Sequence, residues 1–87
     1  MGYIIVFTKQ AQKDAKKLES CSLDKKAKDL LKIIKENPYQ TPPPYEKLIG
    51  DLKGFYSRRI NIKHRLIYDV YEKENIIKIL RMWTHYQ

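Results

Sequence analysis

A single cysteine, Cys21, stands in the 87 residues. No intrachain disulfide can brace the fold, and the natural setting for such a chain is a reducing cytosol. No apolar run approaches the roughly 18 residues of a membrane span. The opening run Tyr3-Ile4-Ile5-Val6-Phe7 has neither a basic lead-in nor a cleavage site of small residues, which makes it a strand rather than a signal peptide. Arginine is missing from the first half, acid is missing from Leu52 to Leu66, and there is no internal repeat or low-complexity tract. These absences leave one domain, residues 1–87, with one modest core.

What is present is positive charge. The formal net charge is +8, from eighteen Lys and Arg against ten Asp and Glu. Alone, that balance suits nucleic acid, anionic lipid or an acidic protein. Its distribution is more informative. Most of the lysines precede Pro38 and alternate with Asp14, Glu19, Asp24, Asp29 and Glu36, as on a solvated helix surface. The four arginines, Arg58, Arg59, Arg65 and Arg81, all follow Ser57, and those in the acid-free stretch form a candidate phosphate-contacting patch.

Periodicity places these groups on elements. Tyr3 to Phe7 is continuous enough in β-branched and aromatic residues to predict a strand covered on both faces. Thr8 can cap a helix carrying Ala11, Ala15 and Leu18, and Ser22 can cap a second one with a Leu23, Ala27, Leu30, Leu31 and Ile34 stripe. Asn37-Pro38 ends it, and three consecutive prolines impose an extended crossover to Tyr45. Strand patterns follow around Lys47-Leu48, then at Tyr56–Ile60, Arg65–Tyr71 and Ile76–Trp83, with turns short enough for an antiparallel meander. The class is α+β, with the two N-terminal helices on one face of the sheet. Alternation puts Ser57 and Arg59 away from the core, able to meet Arg65 on the open face. Ile77, Ile79, Arg81, Trp83 and His85 share parity. Tyr3, Phe7, Phe55 and Tyr68 are expected in the core, and His64 in a packing role.

The polar groups of the second half suit cleavage of RNA by its own 2′-hydroxyl. That reaction needs a base, an acid and positive charge on the phosphate oxygens. A glutamate, titrating near about 4.3, can take the 2′-OH proton, and a histidine, near about 6.5, can protonate the leaving oxygen. Glu46 and His85 fill those roles, Arg65 and then Arg59 the charge, and Tyr86 and Trp83 can stack on bases. No metal or cofactor is called for. Arg58 is assigned to salt bridging or RNA backbone, Ser57 has no base to make it a nucleophile, and Cys21 is an inert thiol.

The motifs Glu46-Lys47-Leu48, Gly50-Asp51-Leu52, Gly54-Phe55-Tyr56-Ser57-Arg58-Arg59-Ile60, His64-Arg65-Leu66-Ile67-Tyr68 and His85-Tyr86, in this order and spacing, resemble the YoeB/Txe toxins of the RelE-like toxin–antitoxin superfamily. The resemblance implies a RelE-like domain with a twisted, mainly antiparallel sheet. It implies a toxin that cuts mRNA in the A site of the 70S ribosome, and a YefM/Axe-type antitoxin that quenches it. A homodimer is left open. By position, Glu46 matches the family's general base, His85 its general acid, Arg65 its phosphate stabiliser and Tyr86 its terminal tyrosine. Ile49 stands where the family often has lysine, a role Lys47 can take from the other strand face, and Gln87 extends the usual His-Tyr end. The rival readings are a non-catalytic basic module that blocks the ribosome or binds RNA, and a DNA-binding module, for which no helix presents arginines to base edges.

Overall fold

The computed structural model describes residues 2–50 and 54–83. The N-terminal apolar run forms β1 (Ile4–Phe7), and the Thr8 hydroxyl then opens α1 (Lys9–Ser20) by accepting the Ala11 N–H at 3.0 Å. The helix closes through Ser22, which adopts φ +60. The Ser22 N–H reaches the Glu19 carbonyl at 3.2 Å and the Leu23 N–H the Leu18 carbonyl at 2.9 Å, the two bonds of a Schellman closure. Ser22 is therefore used to end α1. It does not cap α2 (Asp24–Glu36), which begins after Leu23 with no side-chain cap.

Residues 38–45 cross from the helices to the sheet without regular structure, passing through cis bonds at Thr41–Pro42 and Pro42–Pro43. Four strands follow: β2 (Glu46–Lys47), β3 (Tyr56–Arg59), β4 (Arg65–Tyr71) and β5 (Ile76–Arg81). They form the expected antiparallel meander, and β1 adds to β5 in parallel, so the sheet is mixed with order β1-β5-β4-β3-β2. β2 starts one residue earlier than the sequence pattern suggests and is only a two-residue edge.

α1 packs on β5 and β1, with α2 beside it. Leu18, Ile34, Leu66, Tyr68, Ile77 and Ile79 lose all exposure in this core, and each large apolar side chain buried this way contributes about 1.5–3 kcal/mol. The reading of β1 as covered on both faces is overturned. Pairing with β5 leaves β1 at the sheet's end, and the helices cover one face only. Ile5 packs inward, while Ile4 is 63% exposed and Val6 and Phe7 also lie open, so Phe7 is not core. The parity expected along the last strand also fails. Tyr68 pairs with Ile79 but Ile67 with Arg81, leaving Leu80 as a bulge that breaks the two-residue alternation. No helix among the described residues is long and apolar enough to cross a membrane.

Candidate active site

The turn between β3 and β4 sets the site's geometry. The Asn61 carboxamide oxygen accepts the N–H groups of Lys63 and His64 at 2.9 and 2.7 Å, and the Ile60 N–H closes on the His64 carbonyl at 2.9 Å. That tight connection fixes the register Arg59↔Arg65 and Ser57↔Ile67, while β2 pairs Glu46 with Ser57. Alternation then puts Glu46, Ser57, Arg59, Arg65 and Ile67 on the sheet face away from the helices. Ser57 and Ile67 are buried in its floor, and the charged groups stand around it.

Glu46 Oε1 lies 3.2 Å from an Arg65 terminal nitrogen. The carboxylate side chain is 64% exposed and the guanidinium 19%, so this pair faces water and adds little to stability. Arg59 sits directly across from Arg65, and like charges so placed repel. The three groups, with Pro44, Tyr45 and Ser57, line a cavity of about 270 Å³. A second hollow, about 180 Å³, lies between the helices and is lined mainly by apolar side chains such as Ala15, Leu18 and Leu31. Its charged lining residues, Glu19, Asp24 and Lys28, include no arginine. Among the described residues no three His, Cys, Asp or Glu side chains group as metal ligands.

The other expected site residues fall into three groups. Lys47 is exposed and pairs with Tyr56, on the opposite parity from Glu46 and away from the cavity lining; Ile49 is 81% exposed. Trp83 stacks on His64 with ring centroids 3.9 Å apart, which commits one face of the indole and gives His64 its packing role. His85, Tyr86 and Gln87 lie outside the described residues, as do Asp51, Leu52 and Lys53.

Arg58 is a correction. The sequence assigns it to salt bridging or RNA backbone, but it is 1% exposed and forms no ion pair among the described residues. Its Nε donates to the Tyr68 hydroxyl at 3.0 Å, and its terminal nitrogens donate to the carbonyls of Pro43, Pro38 and Gln40 at 2.7, 3.0 and 2.8 Å. A guanidinium so enclosed does not reach a phosphate. On a strand one residue of parity separates it from Arg59, and that residue turns it under the proline crossover.

Asp14 is a second correction. It reads as part of a solvated helix face, yet it is fully buried. One carboxylate oxygen accepts from Arg81 Nε and from the Met82 N–H, both at 3.0 Å, and the other from Gln10 at 2.9 Å. Burial pushes its pKa up, but the bonds from Met82, Gln10 and Arg81 outweigh that and hold it below the ordinary value. Arg81 also donates to the Trp83 carbonyl at 3.1 Å, so Asp14 ties α1 to the end of β5. The signal was available in the spacing, because position 14 falls inside the Ala11–Leu18 stripe.

Residues 7–86 match the family described as YoeB-like toxin of bacterial type II toxin-antitoxin system. Toxin YoeB of Synechocystis sp. is 36% identical over 76 residues, covering 87% of this chain and 79% of that protein. Among solved structures, a YoeB–YefM complex from Staphylococcus aureus contains a chain 39% identical, with a TM-score of 0.81 over 99% of this chain and 100% of that one. A YoeB/ParE toxin from Agrobacterium tumefaciens superposes with a TM-score of 0.86 at 27% identity, over 95% of this chain and 99% of that one. The architecture is RelE-like. Matched over nearly its full length in sequence and in fold, the chain belongs to the YoeB-like toxins of bacterial type II toxin–antitoxin systems, a family whose role is translation-inhibiting ribonuclease activity.

Proposed function

We propose that the protein is a cytoplasmic, ribosome-dependent mRNA endoribonuclease that cuts message in the A site by metal-independent transesterification. The observation that carries this reading is the arrangement of Glu46, Arg65 and Arg59 around one open cavity, with the carboxylate 3.2 Å from the first guanidinium. Two arginines held opposite each other are unfavourable until an anion lies between them, and a phosphodiester is such an anion.

In the reaction a phosphate in the cavity takes over the Arg65 and Arg59 donors, which leaves the Glu46 carboxylate for the neighbouring ribose. Glu46 accepts the 2′-OH proton as the 2′-oxygen bonds to phosphorus. The two guanidiniums hold the non-bridging oxygens, where charge peaks in the transition state. The bond from phosphorus to the next 5′-oxygen breaks, and His85 donates the proton that leaves with it. The products are a 2′,3′-cyclic phosphate and a 5′-hydroxyl. The role of His85 rests on the match of His85-Tyr86 to the family motif; Trp83, two residues earlier in the sequence, stacks on His64. Tyr86 adds a stacking or phosphate-holding group, and Lys47 and Trp83 are assigned to contacts with flanking RNA outside the cavity.

The relative solved with YefM supports a YefM-type antitoxin as partner here. The test is primer extension on message bound to programmed ribosomes, with naked RNA as control. Wild-type protein should cut on the ribosome. Glu46→Ala should still bind and should cut about 10²–10⁴-fold more slowly. A wild-type protein that arrests translation while leaving the message whole is a blocker, and that result ends the nuclease reading.

A further inference from the structure

We propose that Arg58 is a positioning residue for Glu46: it straps the proline crossover to the sheet and so fixes the two-residue strand that carries the carboxylate. The proposal rests on the nuclease reading for Glu46's role, and it extends that reading to a residue outside the cavity.

Arg58 is a buried cation. It is 1% exposed, and the ion pairs among the described residues give it no carboxylate partner. Such a group is strongly disfavoured unless each of its nitrogens finds a hydrogen-bond acceptor. Here they meet the carbonyls of Pro38, Gln40 and Pro43 and the Tyr68 hydroxyl, and the guanidinium lies 5.1 Å from the centre of the Tyr45 ring. Tyr68 passes the arrangement on, donating its own hydroxyl to the Pro38 carbonyl at 2.8 Å. The planar guanidinium can address several carbonyls at fixed angles, which an ammonium cannot.

The crossover needs such a holder. Pro42, Pro43 and Pro44 have no N–H, so this segment cannot build a ladder of its own. Glu46 follows three residues after Pro43 and directly after Tyr45, whose ring also packs against Tyr56 at 5.6 Å. Its strand is an edge that, among the described residues, pairs with β3 alone. Arg58 belongs to β3 and is the neighbour of Ser57, the cross-strand partner of Glu46. One side chain thus ties the segment leading into β2 to the strand against which β2 is registered. Without it, the two ladder positions, the Leu48–Phe55 bond and the Tyr45 ring contact are left to hold a carboxylate whose placement within about 1 Å can decide a factor of 10² in rate.

The test compares Arg58→Lys with wild type in ribosome-bound cleavage and in native-state hydrogen exchange. The Leu48 N–H, bonded to the Phe55 carbonyl at 2.9 Å, reports on β2, and the amides of Ile77 and Ile79 report on the core. In R58K, kcat should fall about 10- to 100-fold at unchanged KM, because the exposed lysines that attract the ribosome are untouched. Leu48 should exchange about tenfold faster or more while Ile77 and Ile79 keep their protection. Unchanged exchange at Leu48 overturns the proposal, as does a kcat within about twofold of wild type. So does a parallel loss of protection at Ile77, since that marks general destabilisation. Should R58K fail to fold, Tyr68→Phe decides the matter by the same readouts, since it removes the hydroxyl shared by Arg58 and Pro38. Exchange needs no turnover, so wild-type protein that leaves message intact sinks the nuclease reading and leaves the strap to be judged at Leu48.

Discussion

Single residues separate what the sequence can announce from what only packing reveals. Glu46 and Arg65 are announced by type and order, and the fold brings them to 3.2 Å. Asp14 is hidden by its company, since a carboxylate among lysines looks solvated until the helix is seen to press it against Met82 and Arg81. Its lowered pKa gives a sign for pH. The folded value lies below the unfolded one, near about 3.9. The stabilisation is therefore fully present above that pH and is lost as pH falls through the folded value. Asp14→Ala should cost about 2–4 kcal/mol at neutral pH, because it strands the Met82 N–H and half-buried Arg81. Urea titrations should also show a flatter acid limb for the variant than for wild type. Ser57 gives the opposite sign. Its hydroxyl is buried with no hydrogen-bond partner among the described residues, so Ser57→Ala should raise stability by up to about 1 kcal/mol, or a Tm gain of about 4–8 °C. A lower Tm would show that the hydroxyl is engaged after all.

Elements follow local pattern closely until a neighbour competes for the same residue. The α1 start at Thr8, the α2 stripe, the turns at 61–63 and 72–75 and the meander all lie in the sequence, because caps, periodicity and turn chemistry are local. Ser22 is taken by the preceding helix instead of the following one, and the reason is its left-handed φ of +60 within the Schellman closure. Glycine adopts that conformation without a Cβ clash. Ser22→Gly should therefore stabilise the protein by about 0.5–1 kcal/mol, seen as a higher urea midpoint at unchanged m-value. A decrease would mean that the Ser22 hydroxyl does more for the interhelical turn than the backbone geometry indicates. The position of β1 has no local signal at all. A parallel partner more than sixty residues away decides it, and an apolar run has the same pattern at an edge as in the middle.

At the scale of the whole molecule, the +8 charge divides into two populations with different work. Lysines at 9, 13, 16, 17, 25, 26, 28, 32 and 35 are all exposed on the helical layer or its connections. Of the arginines, Arg58 is enclosed and Arg81 is tied to Asp14, which leaves Arg59 and Arg65 to face the cavity. The sequence shows the two populations by position but not the withdrawal of Arg58 and Arg81 from the second, because burial depends on the crossover and on α1. Association with ribosomal RNA is then expected to be a property of the lysine layer, and cutting a property of the opposite face. Lys9, Lys13 and Lys16 flank one shallow groove on α1. Reversing all three to Glu should weaken ribosome binding and reduce the slope of log affinity against log salt, by about 0.7–0.9 for each phosphate no longer neutralised. The single-turnover rate on ribosomes already saturated with the variant should stay at the wild-type value. Arg59→Ala should do the reverse, leaving most of the affinity and slowing the bound step. The pair of measurements is binding across a salt series and single-turnover cleavage at saturation. If the lysine reversals slow the saturated step as much as Arg59→Ala does, the two faces are not separate in function, and the helical layer takes part in seating the scissile phosphate.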